Sequence, residues 1–175
     1  MSTSDHDRPA APPLNALLGE QKPLTGFKDY ESAIDRVIGL ALGRIRIFDR
    51  RLSAEYNTTV RIDAIRTFLL ANRMNRISIV VHEAERIRND CPRLVSLQRQ
   101  FANAISIHRT LSLARGVYDP FCVADGSHYA RRFHFDSMRG AIALNDAEGA
   151  AELVRRFDEI WEVSQPAVTA TTLGL

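Results

Sequence analysis

His108-Arg109, and the run His128-Tyr129-Ala130-Arg131-Arg132-Phe133-His134 with Asp125 before it and Asp136 after it, are the stretches of this chain best suited to chemistry. Imidazole serves as base, nucleophile or metal ligand near neutral pH, and Arg offers a planar fork that fits phosphate or carboxylate oxygens. Side chains alternate along a strand, so His128, Arg132 and His134 share one face if that stretch is straight. Two histidines, Arg and Asp136 together could hold a phosphate or a metal ion. The same pattern also describes a solvent-facing strand side with no ligand. Elsewhere the signals thin out. His82-Glu83 misses the His-Glu-x-x-His spacing, because position 86 is Arg86. Cys91 precedes Pro92 at a helix start, where a thiol can be activated or can simply pack, and Cys122 reads as core. No phosphate-binding glycine loop, dinucleotide fingerprint or nucleophile elbow is present.

The elements that must position these residues belong to an ordinary chain: 175 residues, 45% apolar and 25% charged, with a formal net charge of +2. One core is expected at that length, and the charge does not select a partner. No apolar run reaches the roughly 18 residues of a membrane span, and the first residues lack a secretion signal. Two cysteines outside any CxxC pair favour a reducing compartment, so a cytoplasmic location is expected. Of the 23 basic residues only Lys22 and Lys28 are Lys, a bias that GC-rich codons alone can produce.

Residues 1–26, rich in proline with an apolar cluster only at Leu14, Leu17 and Leu18, read as a flexible leader; residues 166–175 read as a flexible tail. The folded domain is then 27–165. Within it Asp29 can cap a helix with Tyr30, Ile34, Val37, Ile38 and Ala41 on one face, and Gly43 ends it. Alternation in Arg44–Asp49 predicts a strand, Asn57 can cap a helix carrying Ile62, Ile65, Phe68 and Leu69, and 76–82 is the next strand. Pro92 opens a helix before a strand at 104–108. Then come extended segments at 117–125, 128–136 and 139–144, one turn being Asp125-Gly126-Ser127. A last helix follows Asn145-Asp146, burying Ala150, Leu153, Phe157, Ile160 and Trp161. The fold class is therefore α/β: a mixed, mainly parallel central sheet flanked by helices.

This order of elements, the Asp125-Gly126-Ser127 turn, and a closing helix with Phe157, Trp161 and Ser164 resemble one half of a phospholipase D-like domain over about residues 27–165. The resemblance is closest to a bacterial branch sometimes attached to GNAT-type acetyltransferase domains, although no acetyltransferase segment is recognisable in this chain. The superfamily's chemistry, as the resemblance implies it, rests on His-x-Lys-x-x-x-x-Asp, two copies meeting at a twofold axis. One His attacks phosphorus, the other protonates the leaving group, Lys holds phosphate oxygens and Asp supports them. With Asp125 as the motif Asp, the His slot holds Tyr118 and the Lys slot Pro120. Neither can take over its role.

The resemblance implies a non-catalytic module that binds a phosphate-bearing ligand, nucleic acid, a protein partner or a second copy of itself, with no cofactor and no metal. Its candidate ligand residues are His108, Arg109, Asp125, His128, Arg131, Arg132 and His134, with Arg44, Arg46, Arg50, Arg51, Arg115 and Arg139 as further guanidinium groups near strand ends. Asp49, Asp119, Asp125 and Asp136 could instead neutralise these arginines in purely structural pairs. The alternative is a divergent phosphodiesterase or nuclease using His108 or His128 with Arg in place of Lys.

Overall fold

A computed structural model describes residues 21–168. Strand β1 (Lys22–Leu24) leads into helix α1 (Phe27–Leu40), strand β2 (Arg44–Arg51), a short 3-10 turn (Ala54–Asn57) and helix α2 (Thr59–Ala71). Strand β3 (Arg76–Glu83), helices α3 (Ile87–Asp90) and α4 (Pro92–Gln100), and strand β4 (Ile105–Thr110) complete the crossover half. Strands β5 (Phe121–Ala124), β6 (His128–Arg132) and β7 (Gly140–Ala143), helix α5 (Ala147–Glu162) and strand β8 (Ser164–Val168) follow.

All eight strands form one sheet in the order β1-β7-β6-β5-β2-β3-β4-β8. The β2–β3 and β3–β4 ladders are parallel, and the other five are antiparallel. The sheet is thus mixed, as its alternating pattern suggests, but it is not mainly parallel. Crossover helices join only β2, β3 and β4, while a tight turn joins β5 to β6, a seven-residue loop (133–139) joins β6 to β7, and β1 and β8 add antiparallel edges. Residues 22–24 and 164–168 pair as strands, so the sheet reaches past both limits of the expected 27–165 domain. The expected cluster at Leu14, Leu17 and Leu18 lies outside the described residues. Each edge strand carries a proline, Pro23 in β1 and Pro166 in β8, the latter beside a register shift opposite Ile107 and His108.

Two apolar layers sandwich the sheet. On one face Ile45, Ile47, Ile77, Ile79, Ile105 and Ile107 meet α1, α2 and α4; on the other Phe48, Val80, Phe121 and Val123 meet Leu153, Phe157 and Ile160 of α5. The strict alternation along β2, β3 and β4 puts one isoleucine set on each strand's inner side, which fixes their register. Two caps differ from expectation, the first at α1, where Gly26 is the N-cap residue and Asp29 lies inside the first turn. Thr58 caps α2 by accepting from Arg61 N–H, and Asn57 instead accepts from Arg93 N–H at 2.8 Å, in the first turn of α4. Asp146 caps α5, accepting from Gly149 N–H at 2.9 Å.

The β5–β6 hairpin turns through Asp125 and Gly126, both with positive φ (54° and 66°), and Ser127 N–H donates to the Ala124 carbonyl. That is the backbone a primed two-residue turn demands, which Asp-Gly supplies readily. Gly140, opposite Arg132 and next to Leu24, has no room for a side chain, because a Cβ there would overlap the Arg131 carbonyl oxygen. Gly140→Ala should therefore cost about 3 kcal/mol or more in urea unfolding, at the upper end of overpacking penalties. Gly39→Ala, in an open stretch of α1, should be neutral or stabilising by up to about 1 kcal/mol. Equal effects at the two positions would contradict the close strand approach at Gly140.

Candidate functional site

The sheet's carboxyl edge, where β2, β3 and β4 end, lies beside the switch in strand order between β2, with β3 on one side, and β5 on the other. Open α/β sheets form ligand crevices at such a point. A cleft of about 340 Å³ opens there, lined by Phe27 and Tyr30 of α1, Asp49 of β2, Tyr56 of the 3-10 turn, Arg61 of α2 and Arg132 of β6.

Each side chain reaches the cleft because its element ends or begins there. Asp49 alternates away from the core residue Phe48 and points to the side covered by α1 and α2; its Oδ1 accepts from Arg50 N–H (2.7 Å) and its Oδ2 from the Tyr56 hydroxyl (3.0 Å). Burial pushes the Asp49 carboxyl up to about 6, although those two hydrogen bonds and the charges of Arg132 and Arg61 pull it down. Arg61 occupies the inward stripe of α2 with Ile65 and Phe68, and is 1% exposed. Its Nε donates to Asp35 Oδ1 (2.6 Å), its Nη2 to the Glu31 carbonyl (3.0 Å), and its guanidinium lies 4.9 Å over the Tyr56 ring. Arg132 lies over Phe27 (4.9 Å) and Tyr30 (5.2 Å).

Three buried polar atoms in this cluster have no hydrogen-bond partner among the described residues: Tyr30 Oη, Arg61 Nη1 and Arg132 Nε. Nearly all buried polar groups in folded proteins are paired, so these three leave donor capacity around the cleft; Gln98 Oε1, Arg131 Nε and Arg156 Nε are the other such atoms among the described residues and lie away from it. The wider rim sets Arg50 and Arg51 against Glu31, Glu55 and Asp136. With Arg61 and Arg132 counted, the lining is neutral when Asp49 is ionised and carries one net positive charge when Asp49 is protonated.

Of the seven candidate ligand residues, Arg132 is the one that lines this cleft; Arg50 and Arg51 of the further guanidinium groups, and the acids Asp49 and Asp136, line it as well. His134 lies just past β6 on the same edge, stacks on Tyr118 at 5.5 Å, and its Nδ1 accepts from Asp136 N–H. Arg131 points the other way and, with Arg156, holds Asp119. Asp125 and His128 sit at the opposite edge. The Asp125 carboxylate accepts from Leu42, Gly43 and Arg44 N–H at 2.6–2.8 Å, tying the α1–β2 turn to the hairpin, and His128 Nδ1 accepts from Asn145 N–H. His108 stacks on Trp161 at 3.8 Å, and burial lowers its pKa. Its Nδ1 lies 2.9 Å from Ser164 Oγ, whose proton goes to the Trp161 carbonyl, so Nδ1 is the donor. Arg109 lies against Gln165 on β8. The seven residues are therefore spread over both edges and an outer strand rather than gathered in one site. His128 and Arg132 share a face as expected, but four residues of strand separate them by about 13 Å.

Strand β5 separates Asp125 from the His and Lys slots of the His-x-Lys-x-x-x-x-Asp pattern, which lie towards the carboxyl edge. Tyr118 is half-exposed at the carboxyl edge, and Pro120 is buried, its carbonyl accepting from Arg132 N–H. His82 also lies at this edge, but it is 5% exposed and committed: Nε2 donates to the Val117 carbonyl (2.7 Å) and Nδ1 accepts from Thr110 Oγ1 (2.6 Å). Cys91 and Cys122 are buried thiols, each pushed up to about 12 by burial. No group of His, Cys, Asp and Glu suited to a metal ion occurs among the described residues, and no described helix is long and apolar enough to cross a membrane.

This architecture is that of phospholipase D-like proteins. Nuc from Salmonella typhimurium, a phospholipase D family member, superposes with a TM-score of 0.57 and 14% identity over 84% of this chain and 98% of its own. The phosphatidylserine synthase of Haemophilus influenzae Rd KW20 matches with a TM-score of 0.61 and 13% identity over 88% of this chain and 40% of its own. TrmBL2, an archaeal chromatin protein with a novel mode of DNA binding, matches with a TM-score of 0.60 and 13% identity over 83% and 53%. This chain thus spans about half of TrmBL2 and less of the synthase. At these identities the likeness is one of fold. No curated protein matches the sequence. The chain belongs to the family DUF7931, a domain of unknown function, whose model matches residues 27–173.

Proposed function

We propose that this protein is a non-catalytic phospholipase D-like module that binds a phosphate-bearing ligand in the cleft at the carboxyl edge. One observation carries the reading: Arg61 and Arg132 are buried there with N–H groups left over after their internal contacts. Charge-assisted hydrogen bonds from Arg to phosphate are the strongest use of such donors. Tyr118 and Pro120 in the His and Lys slots support binding without turnover, since neither a phosphohistidine nor a cationic clamp can form from them. Of the seven residues selected from sequence, the proposal keeps Arg132 as a ligand contact and gives Asp125 a structural role. DNA binding by the similarly folded TrmBL2 is consistent with a phosphate-bearing ligand.

The test is isothermal titration with inorganic pyrophosphate, alongside hydrolysis assays with bis(p-nitrophenyl) phosphate and with single- and double-stranded oligonucleotides. Saturable binding without hydrolysis is expected, weakened at least about tenfold by Arg132→Ala, the loss of one charge-assisted contact. Hydrolysis abolished by His108→Ala or His128→Ala would establish the divergent phosphodiesterase instead. Undiminished binding in Arg132→Ala would move the ligand out of the cleft.

A further inference from the structure

Helix α5 leaves part of its sheet face bare. It starts beside β6, where Asp146 N–H donates to the Ser127 carbonyl, and ends past β4, where Leu111 N–H donates to the Val163 carbonyl. The helix therefore crosses diagonally, covering Phe48, Val80 and Phe121, half-covering Arg46, and leaving Arg44 and Ser106 towards the amino edge exposed. In parallel strands, residues in register project to the same face. Arg44 is in register with Arg76, and Arg46 with Ser78, which is in register with Ser106. These five side chains line an open groove of about 430 Å³.

The groove is rich in donors and poor in acceptors. Arg44 and Arg76 sit directly side by side, an arrangement of like charges that destabilises a sheet. Arg76 Nη1 reaches only the carbonyls of Arg73 and Asn75, and Arg44 has no carboxylate within ion-pair distance among the described residues. A single acid, Asp158 of α5, borders the groove; it is 60% exposed and lies 3.5 Å from Arg46 Nε. Burial and the neighbouring Arg44 both depress the Arg46 pKa, against the opposing pull of Asp158.

We propose that this bare sheet face, with Arg44, Arg46 and Arg76 flanked by Ser78 and Ser106, is a docking surface for the phosphodiester backbone of a single-stranded nucleic acid. The Cα atoms of Arg44 and Arg76 stand about 4.8 Å apart on neighbouring strands and those of Arg44 and Arg46 about 6.6 Å apart along β2, so three long cationic side chains start from one small patch and can spread over the phosphates of one chain. The serine hydroxyls add hydrogen bonds to the same oxygens. Trp161, the indole that borders the groove, stacks on His108 and Phe157, so recognition there is of charge rather than sequence. The surface is separate from the carboxyl-edge cleft.

Fluorescence anisotropy of a labelled 20-nucleotide dT oligomer, titrated with the full chain across about 50–200 mM NaCl, tests the assignment. The double variant Arg44→Ala/Arg76→Ala should bind at least about tenfold more weakly and lower the slope of log K against log salt by about 1.4, two phosphate contacts on a single strand. The variant Arg88→Ala/Arg99→Ala, which removes the same charge from exposed positions on the other side of the molecule, should leave both quantities near the parent's. Melting curves for both variants check that the fold is retained. Equal losses in the two variants would reduce the interaction to net charge and overturn the assignment. Equally tight binding of a poly-glutamate peptide with the same dependence on Arg44 and Arg76 would overturn the nucleic acid as the partner.

Discussion

Arg61→Ala should be the most damaging single substitution outside the apolar core, with about 3–5 kcal/mol lost in urea unfolding. The side chain is nearly fully buried, yet it bridges two helices: one nitrogen holds Asp35 and another the Glu31 carbonyl of α1, while the plane covers Tyr56. Truncation removes that packing, strands a carboxylate that is itself two-thirds buried, and opens a void between α1 and α2. Arg61→Lys should recover only part of the loss, since an ammonium cannot serve both oxygens in the plane of a fork. A loss below about 1 kcal/mol for Arg61→Ala would mean that the ion pair is spectator to the fold.

Asp49→Asn should stabilise the protein at pH 8 by about 3 kcal/mol and leave it nearly unchanged at pH 4. The carboxyl titrates at about 6 in the folded chain against an ordinary 3.8, so the folded state holds the proton more tightly. Stability contributed by that proton is present below the unfolded value and is lost as pH rises through about 6, at 1.36 kcal/mol for each unit of difference. Asparagine keeps an oxygen for Arg50 N–H and carries no charge into the buried site. The same substitution should tighten pyrophosphate binding at pH 8, where ionised Asp49 opposes an anion, and flatten its pH dependence. Unfolding curves at the two pH values, with parent and variant side by side, check this; an equal gain at both would show that charge burial is not the cause.

These two residues also show what was legible in the sequence. The helices and strands between 27 and 163 follow from apolar periodicity, because α1, β2, β3, β4 and α5 each bury one clear stripe. Strands β1 and β8 were not legible: Lys22-Pro23-Leu24 and Ser164-Gln165-Pro166-Ala167-Val168 are short, contain proline, and owe their extended form to the neighbour they pair with. The cleft was only partly legible. Tyr30 reads as another apolar position of α1, and Asp49 as the polar residue ending a strand. Arg61 did leave a trace, since it stands four residues before Ile65 and seven before Phe68, on the buried stripe of α2. Tyr56 left none, because the 3-10 turn has no period. Conversely, His108, His128 and Asp125 are conspicuous as residue types, but tertiary packing uses them to stack on Trp161, to accept from Asn145 N–H and to cap the α1–β2 turn.

The two edge prolines bear on how such a sheet can meet other proteins. An incoming β-strand is recruited by a row of unpaired N–H and C=O groups, and proline removes a donor from that row. With Pro23 in a strand of only three residues and Pro166 beside a register shift, both margins are poor templates. Copies of this domain should therefore resist joining edge to edge into longer sheets even when crowded. Any assembly the protein enters should be built from side chains on its helices, its loops or its open sheet face, and so should separate under salt or dilution rather than grow.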